Sequence, residues 1–125
     1  MEMKIELILL PSKDLSESKK FYLEVMGFNL DHDVEPGNGI HVIQFTPKGS
    51  ACSIAIGKGI GAENTALVKG IHLVVSDIEA AHRELSSNGL EIGDVRDMGG
   101  VKYAFFNDPS GNSWELQEVS KGNKS

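Results

Sequence analysis

Asn107-Asp108-Pro109-Ser110-Gly111-Asn112-Ser113-Trp114-Glu115-Leu116-Gln117-Glu118 reads as a tight turn that runs directly into a strand. Pro109 presets φ for the second turn residue, and Gly111 supplies the left-handed position that closes the turn. Beyond it the residues alternate. Trp114 and Leu116 lie on one face, and Ser113, Glu115 and Gln117 on the other. Glu115 is therefore an acid in mid-strand, on the face away from the indole. Such an acid is either solvated or part of a site, and the rest of the chain decides which.

Upstream, the same punctuation occurs a second time. Pro47 and Gly49 stand 62 residues before Pro109 and Gly111, Gly27 stands 62 before Gly89, and Asp14 stands 63 before Asp77. Residues 4–10 read as a strand, apolar on both faces and so expected in the centre of a sheet. Asp14 caps a helix, with Glu17 three residues on as in a capping box. Leu15, Ser18, Tyr22, Val25 and Met26 form its inner stripe, and Gly27 ends it. Strands follow over 28–34, 40–46 and 51–57, with a turn at 35–39. The order then restarts with a strand over 69–75. Ser76 or Asp77 caps the second helix with Glu79 as box partner; Ile78, Ala81 and Leu85 face inward, and Gly89 stops it. Three more strands cover 90–96, 101–107 and 113–119, and the polar tail 120–125 is expected to fray.

This is a tandem βαβββ repeat of the α+β class. One domain over 1–125 is expected, with module 1 at about 4–57, a linker at 58–68 and module 2 at about 69–119. Neither half is large enough to cover both faces of a four-stranded sheet, so the halves are expected to pack together. With a helix outside each sheet, the opposite faces become the inner wall of an eight-stranded cup. The Gly-rich stretch 57–64 fits neither GxGxxG nor GxxxxGK[ST] and reads as linker, not phosphate loop.

Composition narrows the partners. A net charge of −6, with the acids scattered, argues against nucleic acid and anionic membrane. The single cysteine, Cys52, excludes an internal disulfide and a cysteine-built zinc cluster, and reads as a small buried hydrophobe in a strand. No apolar run is long enough to cross a membrane and no leader pattern opens the chain, so the expected compartment is the cytoplasm.

Phe21-Tyr22, Gly27-Phe28 and Asp108-Pro109-Ser110-Gly111-Asn112 before a strand carrying Glu115, on this repeat, resemble the vicinal oxygen chelate superfamily. That group includes glyoxalase I, extradiol dioxygenases and bleomycin-type resistance proteins, and the resemblance covers roughly residues 4–119. It implies one scaffold and several functions. Metal-dependent members take ligands from the first strand of each repeat, usually His, and from the last, usually Glu. Counting back seven from the caps places Leu7 and Gly70 in the first-strand slots. The last-strand slots fall to Glu115 and to Ser53, or to Ala55 if the first turn carries two extra residues. Leu and Gly cannot ligate, so no metal or other cofactor is expected. A shifted pair, His72 with Glu115, is the one escape.

The wall of the expected cup is mostly apolar, from Ile5, Leu7, Leu9 and Val74 with Tyr103 and Phe105, and carries Ser53, His72, Glu115 and Gln117 as polar groups. Leu7, Ser53, His72, Tyr103, Glu115 and Gln117 are the candidate ligand-binding residues. Three readings stay open. The first is a metal-independent, antibiotic-resistance-type module that sequesters a small apolar or aromatic compound. The second is a superfamily enzyme (lyase, isomerase or dioxygenase-like) using Glu115 as base or metal ligand. The third is a regulatory subunit with a vestigial pocket. A homodimer is expected from exposed sheet edges and from the resemblance.

Overall fold

Each half of the chain folds into the same sequence of elements, in a computed structural model that describes residues 1–118. The C-terminal end of the expected last strand, residue 119, and the tail 120–125 lie outside the described residues. The chain divides into two compact units, Met1–Leu67 and Val68–Ser125.

The first unit contains β1 (Leu7–Leu9), α1 (Leu15–Lys20), β2 (Asn29–Gly37), β3 (Ile40–Thr46) and β4 (Ser53–Lys58). Its sheet runs β1-β4-β3-β2, with β1 parallel to β4 and the other pairs antiparallel. Asp14 caps α1 by accepting the Glu17 N–H at 3.0 Å. The helix then widens into a π turn over Phe21–Val25, marked by the Met26 N–H reaching the Phe21 carbonyl at 3.0 Å. The wider turn rotates both Phe21 and Tyr22 inward. Tyr22 packs at 5.1 to 5.7 Å between centroids against Phe21, Phe28 and Phe45. Ile43, Ile54 and Ile56 complete this core.

The second unit repeats the plan with β5 (Ile71–Val75), α2 (Ile78–Ser87), β6 (Arg96–Met98), β7 (Val101–Asn107) and β8 (Ser113–Glu118), in the order β5-β8-β7-β6. α2 packs on β7 and β8. It buries Ile78 and Leu85, and Ala104, Phe106, Trp114 and Leu116 are buried in the same unit. Trp114 is 1% exposed and stacks on Phe106 at 6.1 Å, as its strand parity predicts.

Several expectations are corrected. β1 is an edge strand: it pairs only with β4, and Leu7 and Leu9 are 40% and 38% exposed. An apolar run on both faces therefore does not place this strand centrally. β2 continues through Pro36 to Gly37, because Pro at a sheet edge sacrifices no ladder bond. Of the strand expected over 90–96, only Arg96 is strand, in β6. Asp77, not Ser76, caps α2, by accepting the Ala80 N–H at 3.0 Å. Glu79 thus falls one residue short of the box position. Glu118 from β8 instead accepts the Ile78 N–H at 3.1 Å. Cys52 sits just ahead of β4, half-buried, not within the strand.

Candidate functional site

In the second unit, strand alternation divides the sheet cleanly. The face under α2 is core, and the opposite face carries His72 and Val74 of β5, Tyr103 and Phe105 of β7, and Glu115 and Gln117 of β8. Pairing places His72 directly across from Glu115, and Phe105 across from Glu115 on its other side. The side chains meet. His72 Nε2 lies 3.0 Å from Glu115 Oε2, and His72 Nδ1 lies 2.9 Å from Gln117 Oε1. A carboxylate only accepts, so the Nε2 nitrogen donates to Glu115. The imidazole also stands edge-on to Tyr103 at 6.2 Å, and Tyr103 stacks on Phe105 at 6.3 Å.

The polar groups satisfy one another while the apolar ones remain open. Val74 is 59% and Phe105 39% exposed on this face. The site is thus a histidine–carboxylate pair and an amide set in a partly exposed aromatic and aliphatic surface. Four of the six residues expected from sequence, His72, Tyr103, Glu115 and Gln117, are neighbours here. Leu7 and Ser53 are a directly paired couple in the sheet of the other unit.

On that first sheet a second polar group surrounds Ser53. Ser53 Oγ lies 2.6 Å from Thr46 Oγ1, and Asp31 Oδ2 accepts from Thr46 Oγ1 and from Gln44 Nε2. Since Thr46 gives its proton to Asp31, the Ser53 hydroxyl donates to Thr46. Asp31, Gln44 and Thr46 were missed from sequence. A bulge between Leu30 and His32 turns Asp31 toward these partners, and bulges leave no sequence mark here beyond a charged strand.

The first unit also holds a cavity of about 450 Å³ beside the start of α1, reached by His41, Lys58 and Glu63. Its acids are engaged: Asp14 caps the helix, and Glu63 accepts the Gly59 N–H at 2.6 Å, which holds the Glu63 carboxyl below its ordinary range. The Gly59 N–H that a phosphate loop would offer is thus taken by the chain's own carboxylate. Gly57 permits close approach at this point, since a Cβ there would meet the His41 carbonyl oxygen at 2.0 Å. His41 itself bonds to Asp33 at 2.6 Å. His82 is satisfied by the Gly93 carbonyl at 2.9 Å, and His32 is exposed.

The family's ligand slots are relocated by two residues. Gly70 lies outside β5 with φ of 79°, and the residue opposite Glu115 is His72, five residues before the Asp77 cap. In the first unit the residue five before the Asp14 cap is Leu9, paired with Ala55. β4 starts 60 residues before β8, not 62, so the first turn does carry two extra residues. One module therefore presents His and Glu, and the other Leu and Ala. Among the described residues, no group of three or more His, Cys, Asp or Glu could hold a metal ion. The donor set does not fit a divalent ion that needs three or four N/O ligands.

No helix among the described residues is long and apolar enough to cross a membrane. No curated protein sequence matches the chain at a significant level. Solved structures do. TnmS3, an antibiotic-binding protein from Streptomyces sp. CB03234, is 26% identical, with a TM-score of 0.81 over 95% of this chain and 98% of that one. A glyoxalase/bleomycin resistance protein from the same organism is 27% identical, with a TM-score of 0.75 over 90% and 98%. A lactoylglutathione lyase from Agrobacterium tumefaciens shares the fold at 17% identity, with a TM-score of 0.72 over 94% of each chain. The family described as the glyoxalase/bleomycin resistance protein/dioxygenase superfamily matches residues 4–116, and the repeated βαβββ units are those of its fold, so the chain belongs to that superfamily.

Proposed function

We propose that the protein binds a small, apolar or aromatic compound on the His72–Glu115 face and sequesters it without chemical change and without a metal. The observation that carries this reading is the Tyr103–Phe105 stack, half-buried at Tyr103 and open at Phe105, beside a polar cluster whose members already bond one another. Apolar surface of this kind supplies affinity at about 0.8 kcal/mol per buried CH₂. The few polar groups orient the ligand. The likeness to an antibiotic-binding protein supports the same class of activity.

One observation favours a second reading. A histidine nitrogen 3.0 Å from a carboxylate oxygen is a pair able to take and return a proton, which would make Glu115 the base of a superfamily enzyme. A thermal-shift ligand screen with a divalent-metal panel, followed by calorimetry on the hits, separates the two. Sequestration gives one ligand per site, recovered unchanged, and Glu115→Gln shifts affinity by about tenfold or less. Turnover of a hit that falls about a hundredfold in Glu115→Gln with binding intact would replace sequestration by catalysis.

A further inference from the structure

Beside Glu115, toward the 107–113 turn, lies a cavity of about 160 Å³ lined by Phe105, Phe106, Asn107, Ser113, Trp114 and Glu115. The rings of Phe106 and Trp114 stack with each other and are buried, and by alternation they belong to the opposite face. Phe105, Asn107, Ser113 and Glu115 share the open-face parity. A volume of roughly 150 Å³ is that of a single six-membered ring, so this partly open, partly polar hollow has room for one.

The polar atoms around it narrow the ring's substituent. Glu115 Oε2 is bonded to His72, while no other described residue bonds Oε1, which is left as a charged acceptor. Ser113 Oγ accepts the Gly70 N–H at 3.0 Å, which leaves its hydroxyl proton to donate. The Asn107 side-chain amide is a further donor at the rim. Around a ring-sized space Glu115 only accepts, while Ser113 and Asn107 can each donate, which suits a group that both donates and accepts at one atom. A hydroxyl does both, donating to Glu115 and accepting from Ser113 or Asn107; a carboxylate has only acceptors and is repelled by Glu115.

We infer that this cavity is the seat of a phenolic ring, its hydroxyl donating to Glu115 Oε1 and accepting from Ser113 or Asn107, with Phe105 against the ring. The inference rests on the sequestration reading and specifies the ligand class for it. An O–H donated to a carboxylate makes one of the shorter and stronger hydrogen bonds, which singles the phenol out from its methyl ether.

The test titrates p-cresol, 4-methylanisole and benzylamine into the full chain, with ¹⁵N–¹H spectra to locate binding. The expected result is p-cresol binding about tenfold more tightly than the other two, with shifts centred on residues 105–115. In Glu115→Leu, with folding verified by its melting transition, p-cresol and 4-methylanisole should bind within about twofold of each other. Equal or tighter binding of 4-methylanisole or benzylamine, a preference that survives Glu115→Leu, or shifts elsewhere would overturn the assignment. Failure of p-cresol to bind while the broader screen yields a stoichiometric ligand sinks the phenol inference alone. Failure of both sinks the sequestration reading with it.

Discussion

Replacing Asp108 by alanine should cost this protein a large share of its stability, although the residue does not line the cavity beside Glu115. Asp108 is 5% exposed, and its Oδ1 accepts three consecutive backbone N–H groups, from Ser110 at 3.0 Å and from Gly111 and Asn112 at 2.9 Å. Its Oδ2 takes the Asn112 Nδ2–H at 2.8 Å, and Asn112 Oδ1 in turn accepts the Val68 N–H at 2.9 Å. Alanine removes the acceptor from all three amides. The Gly111 N–H keeps the Asp108 backbone carbonyl at 3.0 Å, but Ser110 and Asn112 are 4% and 0% exposed. Two buried N–H groups without that acceptor, at about 1–3 kcal/mol each, put the loss near 3–4 kcal/mol. That is a large part of a typical total of about 5–15 kcal/mol, and lowers the melting temperature by about 10–15 °C. Asp108→Asn keeps an acceptor for the three amides but sets one amide nitrogen against the Asn112 Nδ2 donor, so about half the loss should remain. Urea denaturation followed by fluorescence reads this directly, because Trp114 is the only tryptophan and is 1% exposed. A loss below about 1 kcal/mol for Asp108→Ala, with the denaturant slope unchanged, would refute the hydrogen-bond argument.

Three further outcomes are expected. Lys19 at 2.6 Å and His41 at 2.6 Å hold the Asp33 carboxyl below its ordinary value of 3.8. A depressed folded value gives stability that is present above the unfolded value and lost as pH falls through the folded one. Asp33→Asn should therefore destabilise the protein by about 0.5–1 kcal/mol near neutral pH, and the variant and the parent should converge in strong acid; an equal deficit at both ends would disprove it. Because the first unit presents Leu9 and Ala55 where the second presents His72 and Glu115, elemental analysis should find about 0.1 transition-metal ion per chain or fewer. One tightly held ion per chain, lost together with ligand binding, would contradict that. Finally, exposed Leu7, Leu9, Val74 and Phe105 lead us to expect a homodimer, sedimenting at twice the 13.5 kDa chain mass. A 13.5 kDa species at micromolar concentration would rule it out.

What was legible in the sequence was local in origin. Asp14 and Asp77 cap their helices because a short carboxylate reaches the third N–H of a helix whatever the fold around it. Gly27, Gly49, Gly89 and Gly111 all adopt positive φ, which only the absence of a Cβ makes cheap, so their spacing revealed the repeat. The 2-residue period alone placed Trp114 in the core and Glu115 on the other face. Tertiary pairing decided the rest. Whether β1 lies at the centre or the edge depends on which strand it bonds, and hydrophobicity carries no such information. The register of β5 against β8 sets His72, not Gly70, opposite Glu115, and counting from the helix cap missed it by two residues because loop lengths before a cap are free to vary. The Asp31–Thr46–Ser53 chain depends on a bulge, and the ring-sized cavity at Glu115 on where Asn107 and Ser113 meet across a turn. Those are meetings between different strands, or rotations of one strand against another. Pattern and propensity act within a few residues, so they determine which face a side chain takes, while the partner it meets there is set by strand register.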